Sequence, residues 1–339
     1  MMSHSTESPA KKDTTLHLTL GERIEIIRSN RHFLAIFPFF MLVAVIVIFG
    51  IWTGGRFFRP NVLKGVLSQG VIVATCATGV AFIYANGNLD ISIGAVLGLA
   101  ATFGAMAYNS TGSTVIMIAV CLLAAMAIML FNCTMSVVCH IKTITVAIVM
   151  TQIYSAFTTI FIGGAGKIDV DPDMAGVLSG GFYFIAFFAY VLLGVVVFHF
   201  TKVGRSLRFL GGNENCAEQT GISNSKMTYI SFLMTGIGVG LAAVFSIANV
   251  ASVSVETGDG MGMDVMLATV LGGMSIFGGS RSNAYAGVLG AITVVALNKG
   301  MLMIGVPAAI IQGIRGVIFL TLVWMNSERQ SLLPARNQF

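Results

Sequence analysis

Charge is what this sequence has least of. Only 10% of its 339 residues are Asp, Glu, Lys or Arg, while 56% are hydrophobic; a soluble domain carries about 25% charged residues. That deficit excludes an ordinary water-soluble fold and puts most of the chain in a medium that penalises charge. Cysteine is scarce too. The five present, Cys76, Cys121, Cys133, Cys139 and Cys216, show no metal-ligand spacing. Four lie in apolar runs, where they read as small buried hydrophobes. H-E-x-x-H, C-x-x-C and G-x-S-x-G are all missing. "GGAGKI" at 163–168 is not a phosphate loop, because Phe161 and Ile168 break the pattern around Gly166-Lys167. "GIGVG" at 236–240 lies inside an apolar run, where glycines serve close helix packing. The chain has no nucleotide-hydrolysing motif of its own.

What is present is a series of apolar runs long enough to cross a bilayer, which takes roughly 20 residues as helix. We expect about ten, near 33–53, 62–85, 91–108, 114–138, 143–163, 182–200, 227–250, 263–278, 284–299 and 303–326. The fold class is all-α, polytopic, with about ten transmembrane helices. A polar stretch holding Lys11, Lys12 and Arg23 precedes the first run, so that run reads as a retained span and not a signal peptide.

Residues 1–32 form an N-terminal segment, 33–326 a membrane domain and 327–339 a tail. Leu20, Ile24 and Ile27 alternate with charges at helical spacing in "TLGERIEIIRSNRHF", as in an amphipathic helix lying on a membrane face. With both termini cytoplasmic, the inner segments collect most of the basic residues, among them Lys142, Lys202, Arg205, Arg208, Lys226, Arg281, Arg329 and Arg336. The outer segments collect Asp169, Asp171, Asp173, Glu256 and Asp259. Arg56, Arg59 and Lys64 run against this pattern. The formal charge of +5 is accounted for by membrane orientation and calls for no nucleic acid.

One stretch breaks the apolar rhythm: "GRSLRFLGGNENCAEQTGI", within the loop 201–226. It is too polar for lipid. The spacing predicts a short helix to Leu210, a break at Gly211-Gly212, and a second helix capped by Asn213 with Glu214 in its first turn. Gly221 ends that helix. Two short helices of this kind form a peg that fits a groove on a partner.

Other polar residues stand inside or beside apolar runs. Asp90 follows Asn86, Gly87 and Asn88, a sequence that suggests a broken helix, tolerated at depth where protein or a water-filled cavity covers it. Asp90 either caps the helix after it or lines the mouth of a pathway. Gln69, Thr75, Thr78 and Gln152 suit a polyhydroxylated solute or glue between helices. Arg315, near mid-span, needs a carboxylate, backbone carbonyls or water; Asp90 and Asp264 are the candidates.

"TKVGRSLRFLGGNENCAEQTGI" resembles the coupling loop of bacterial ABC-importer permeases of the ribose/xylose/arabinose branch. The matching residues are Gly204-Arg205, Gly211-Gly212-Asn213, Ala217 and Gly221-Ile222. "NGNLDISIGAVLGLA" is similar to another signature of that family at Asp90, Ser92 and Gly94. "LATVLGGMSIFGGSRSNAYAGVLGA" matches its paired Gly-Gly motif, and Arg315-Gly316 its last span. The likeness runs from about residue 60 to 325. Gly262 departs from it, standing where many members carry Glu, and so do Asn86 and Asn88.

This resemblance implies a permease subunit in the bacterial inner membrane. Its implied partners are an ABC ATPase that binds ATP and Mg, a second permease copy or paralogue, an extracellular or periplasmic solute-binding protein, and lipid. No cofactor is implied for the chain itself. The implied cargo is a monosaccharide, with a nucleoside or other small polar solute as alternative, moved by alternating access. The candidate pathway residues are Gln69, Asn86, Asn88, Asp90, Ser92, Asp264 and Arg315. An ion-driven secondary transporter is the competing class; it calls for paired carboxylates or an ion site of unwound backbone.

Overall fold

The computed structural model describes residues 31–171, 181–275, 278–279 and 282–326. The amphipathic segment around Leu20, Ile24 and Ile27, the basic residues Lys11, Lys12, Arg23, Arg28, Arg281, Arg329 and Arg336, Asp173, and the tail 327–339 lie outside the described residues.

Twelve α-helices make up most of the described chain: α1 (Arg31–Trp52), α2 (Pro60–Ala85), α3 (Ile93–Thr111), α4 (Thr114–Val138), α5 (Thr143–Ile162), α6 (Gly181–Phe200), α7 (Lys202–Gly212), α8 (Glu214–Gln219), α9 (Asn224–Val250), α10 (Met261–Leu271), α11 (Ala286–Met303) and α12 (Ala308–Asn326). Seven helical stretches are long and apolar enough to cross a membrane, and shorter apolar stretches in α1, α10 and α12 bring the number of apolar helices to ten. Nine of the expected spans agree with these helices to within a few residues. The eighth does not. A helix was expected over 263–278, but α10 stops at Leu271. Gly272 and Gly273 follow, the latter at φ 86°, and at about 16 Å α10 is too short to cross a bilayer.

A two-stranded antiparallel ribbon was not legible in the sequence. β1 (Lys167–Asp169) pairs with β2 (Ser252–Ser254), with Ile168 opposite Val253. It marks one end of α9; the α7–α8 peg marks the other, about 40 Å away along 27 residues.

The core is built on α2, buried at every position from Gly70 to Ala85. In lipid no hydrophobic force drives helices together, so close backbone approach and polar contacts do the work. Glycines supply the approach. A Cβ on Gly79 would meet Thr235 of α9 at 2.9 Å, and one on Gly240 would meet Leu122 of α4 at 2.8 Å. Along α3, Gly94 and Gly98 abut the carbonyls of Gly258 and Thr257. Thr75 and Thr78 donate to carbonyls one turn back, at 2.7 and 2.9 Å, and so are satisfied within their own helix. Cys76, Cys121 and Cys133 are buried as expected; Cys139, at the end of α4, is exposed.

Of the two carboxylates that the sequence leaves open to Arg315, Asp264 is its partner. Arg315 in α12 forms an ion pair with Asp264 in the first turn of α10. Asn298 of α11 donates to both carboxylate oxygens at 3.3 and 3.2 Å. Arg315 is one of the few buried residues of α12, being 9% exposed, whereas Ile310, Val317, Leu320 and Trp324 are open. The pair therefore ties α12 to the core.

Two outcomes are expected. Gly94→Ala should cost about 1–3 kcal/mol through overpacking against Gly258, and Gly65→Ala, with open space around it, should cost nothing; thermal unfolding in detergent distinguishes them. Arg315→Ala should cost about 3–5 kcal/mol by stranding Asp264, and the double variant Arg315→Met, Asp264→Leu should recover most of that loss. Equal melting of the single and double variants would contradict this account.

Candidate functional site

The segment 86–92 between α2 and α3 holds four of the candidate pathway residues. Its backbone leaves the helix at Asn86, and Gly87 takes φ 75°. The amides there are not left bare: Gly87 N–H donates to Tyr84 O at 2.9 Å and Asn88 N–H to Ile83 O at 3.2 Å. Leu89 N–H reaches across to the Thr143 hydroxyl at 3.3 Å. Non-helical backbone inside a membrane protein requires this kind of cover.

Asp90 is 1% exposed. Its Oδ1 accepts from the Ser92 N–H at 2.7 Å and from the Ser92 hydroxyl at 2.6 Å. The carboxylate thus caps the approach to α3, one of the two roles left open by the sequence. Burial raises its pKa above the usual carboxylate range, and hydrogen bonds from Ser92 and Asn132 act in the opposite direction. Ser92 Oγ also accepts from Asn132 Nδ2 at 3.0 Å, and Asn132 Oδ1 accepts from the Tyr154 hydroxyl at 2.6 Å. A buried polar chain therefore joins α3, α4 and α5. Asn132 and Tyr154 were missed in the sequence; the available signal was an amide standing alone in an apolar run, where it must find a partner.

Asn86 faces the other way. Its Nδ2 donates to Thr228 Oγ1 at 3.0 Å and to Asn224 Oδ1 at 3.5 Å. Asn88 Oδ1 accepts from the Thr143 hydroxyl at 3.4 Å. At Ile91 the segment meets α10: a Cβ on Gly262 would run into the Ile91 carbonyl. That contact explains why Gly stands at 262, since a Glu there would force the two backbones apart. Asp264, two residues on, lies on another side of α10 and engages Asn298 and Arg315, so Asp264 and Arg315 form a cluster apart from the segment. Gln69 stands apart. It is exposed on α2, 17 residues and about 25 Å from Asn86 along the helix.

The peg departs from expectation at one point. Helix α7 runs through Gly211 and Gly212 without the expected break, and the interruption falls at Asn213. Gly211 is inside the helix because a side chain there would meet the Ala85 carbonyl and, at 2.7 Å, the Gly279 nitrogen. Gly212 has open space. Gly204 likewise has no side chain because the Phe198 carbonyl occupies its place, which lets α6 turn into α7 with only Thr201 between them. Thr201, missed in the sequence, caps α7 by accepting from Val203 N–H at 3.2 Å. Asn213 caps α8, accepting from Cys216 N–H at 3.1 Å. Gly221, at φ 83°, closes α8 while Ile222 N–H reaches back to Ala217 O at 3.1 Å, the αL ending expected of glycine. Ala217 is buried; Lys202, Arg205, Phe209, Gly212 and Glu214 are exposed. Glu214 accepts a hydrogen bond from Asn224.

On the membrane-facing surface α5 is unusual. The exposed large side chains of α1, α4 and α6 are apolar. Helix α5 buries a narrow stripe of Thr143, Val146, Ala147, Tyr154, Thr158 and Ile162, and exposes Thr145, Gln152, Ser155 and Thr159 alongside the apolar Ile148, Val149, Ile153, Phe157, Ile160 and Phe161.

Comparison with known proteins gives a consistent result. Residues 62–323 match the family described as "Branched-chain amino acid transport system / permease component". The ribose import permease protein RbsC of Escherichia coli K12 is 24% identical, over 85% of this chain and 93% of the relative. The xylose transport system permease protein XylH of Haemophilus influenzae is 25% identical, over 86% and 96%. The autoinducer 2 import system permease protein LsrC of Photorhabdus laumondii is 25% identical, over 88% and 90%. No solved structure matches the chain at a significant level. The family match covers well over half of the sequence, and the chain belongs to this family of transport-system permease components.

Proposed function

We propose that the chain is the membrane-spanning subunit of an ATP-driven, binding-protein-dependent importer that moves a small polyhydroxylated solute, a monosaccharide first, by alternating access. The observation that carries this reading is the polar face of α5. Thr145, Gln152, Ser155 and Thr159 are exposed on a helix long enough to span a bilayer. The Thr159 hydroxyl is satisfied within its own helix, donating to Ser155 O at 3.0 Å, but lipid offers no partner for the Gln152 amide, which therefore meets water, cargo or another protein chain. Hydroxyls and an amide, without charge, suit a sugar passing through and holding none of them tightly. Relatives named for ribose, xylose and autoinducer 2 import support a cargo of this size and polarity.

Energy comes from outside the chain in this reading. The α7–α8 peg presents Arg205, Phe209 and Gly212 on its open surface, and a partner ATPase, binding ATP and Mg, grips it on the cytoplasmic side. Both termini then lie in the cytoplasm of a bacterial cell, and the β1–β2 ribbon faces the solute-binding protein. A second permease copy, or a paralogue, completes the pathway opposite α5. ATP binding favours one orientation of the pathway because the ATPase holds the peg more tightly in that state. The buried Asp90 and the half-buried Asp264 are already engaged, with Ser92 and with Arg315, which favours this reading over an ion-driven exchanger.

Two results are expected in proteoliposomes holding the chain, its ATPase and its binding protein, with radiolabelled ribose and xylose as probes. Gly211→Val should leave the ATPase bound but lower uptake per ATP hydrolysed by about tenfold or more, while Gly212→Val, free of any neighbour, should act only through ATPase docking. Similar coupling in both variants would remove the Gly211 contact from the mechanism. Gln152→Leu should slow uptake several-fold with unchanged melting; normal uptake would mean that α5 does not line the path.

A further inference from the structure

The segment 86–92 touches more elements than any cap requires. Asn86 bonds to Asn224 and Thr228 at the start of α9, and Asn224 in turn donates to Glu214 of the peg. On its other flank, Asn88 and the Leu89 amide share the Thr143 hydroxyl in the first turn of α5. Further along, Ser92 reaches Tyr154, again on α5, through Asn132. Ala85, the residue just before the segment, carries the backbone contacts of Gly211 and Gly279. Helix α5 has few other ties: it packs chiefly on α3 and α4.

We propose that residues 86–92 form a relay that couples the peg to the polar face of α5, with Glu214, Asn224 and Asn86 as its input and Asn88, Thr143, Asn132 and Tyr154 as its output. This rests on the importer reading above and names the positioning residues within it. Two features favour a joint over a static brace. The segment is non-helical chain between two helices, so it shifts without unwinding either. Its α2 end is also under-satisfied: Asn86 Oδ1 and the Tyr84 hydroxyl are buried with no hydrogen-bond partner among the described residues. Buried polar groups are ordinarily paired, so the joint retains donor and acceptor capacity for a second arrangement. A peg drawn outward pulls on Asn224 and on Ala85 together. Both pulls converge on Asn86, and the Thr143 and Tyr154 ties carry the shift to the two halves of α5.

The test uses the full importer in nanodiscs, with its ATPase and binding protein. Ser155→Cys on α5 is labelled with a water-soluble maleimide after the exposed Cys139 and Cys216 are changed to Ser. Labelling is timed without nucleotide and with a non-hydrolysable ATP analogue. Without relay substitutions the rate should change at least about fivefold between the two states, a modest allosteric coupling. Asn86→Leu and Thr143→Val should each bring that ratio close to one with the ATPase still co-purifying, and Thr143→Ser should restore it. Asn86→Leu combined with Thr143→Val should lose no more than either alone, because residues acting through one route are not additive. If Asn86→Leu does not accumulate, Asn224→Ala takes its place in the same cycle. A full response in these variants, or strictly additive losses, would overturn the relay and leave the importer standing. Absence of any nucleotide response before the relay is altered would instead sink the importer reading.

Discussion

Everything in this fold answers to one constraint: a chain that leaves the helical state inside a membrane protein must have its freed backbone groups satisfied by protein. The interruption after Ala85 is where that constraint bears hardest. Its amides find Tyr84, Ile83 and Thr143, and its carboxylate turns back on Ser92. Tyr84 and Ile83 belong to α2, Thr143 opens α5 and Ser92 leads into α3, while the Asn86 side chain reaches Asn224 and Thr228 at the start of α9. Satisfying the break therefore pulls the starts of α3, α5 and α9 to one place. A local need for hydrogen bonds becomes the meeting point of the bundle.

Close packing is the second organising force, and glycine is its instrument. Where Gly94 meets Gly258, Gly262 meets Ile91, and Gly211 meets Ala85, backbones touch with no side chain between them. Such contacts transmit displacement directly, because nothing compressible separates the two chains. Gly211 illustrates how a local rule misleads. By propensity, Gly-Gly weakens a helix by about 1 kcal/mol per residue, and a break there was the natural expectation. The helix persists because Gly211 is a packing residue, and packing against α2 and Gly279 outweighs the intrinsic preference. Glycine as breaker and glycine as contact look the same in a string of letters.

Arg315 and Asp264 show another limit of local reading. A buried base announces its need for an acid, yet Asp90 and Asp264 satisfied that need equally well on paper. The choice was settled by the alignment of α10, α11 and α12, which brings Asn298 to the same carboxylate. Asn132 and Tyr154 fall in the same class: each is visibly polar in an apolar run, and neither names its partner.

By itself the sequence determined the membrane class, nine of the spans to within a few residues, the capping of α8 by Asn213 and its end at Gly221. These are properties of contiguous residues: hydropathy summed along a run, or a side chain reaching two or three residues ahead. Tertiary structure alone decided that Asp90 turns to Ser92 and not to Arg315, that α10 ends at Leu271, that β1 finds β2 some 85 residues later, and that the peg packs on Ala85 just before the segment that α5 binds. Those outcomes depend on which backbones come within contact distance across the bundle, and spacing along a single chain does not encode that distance.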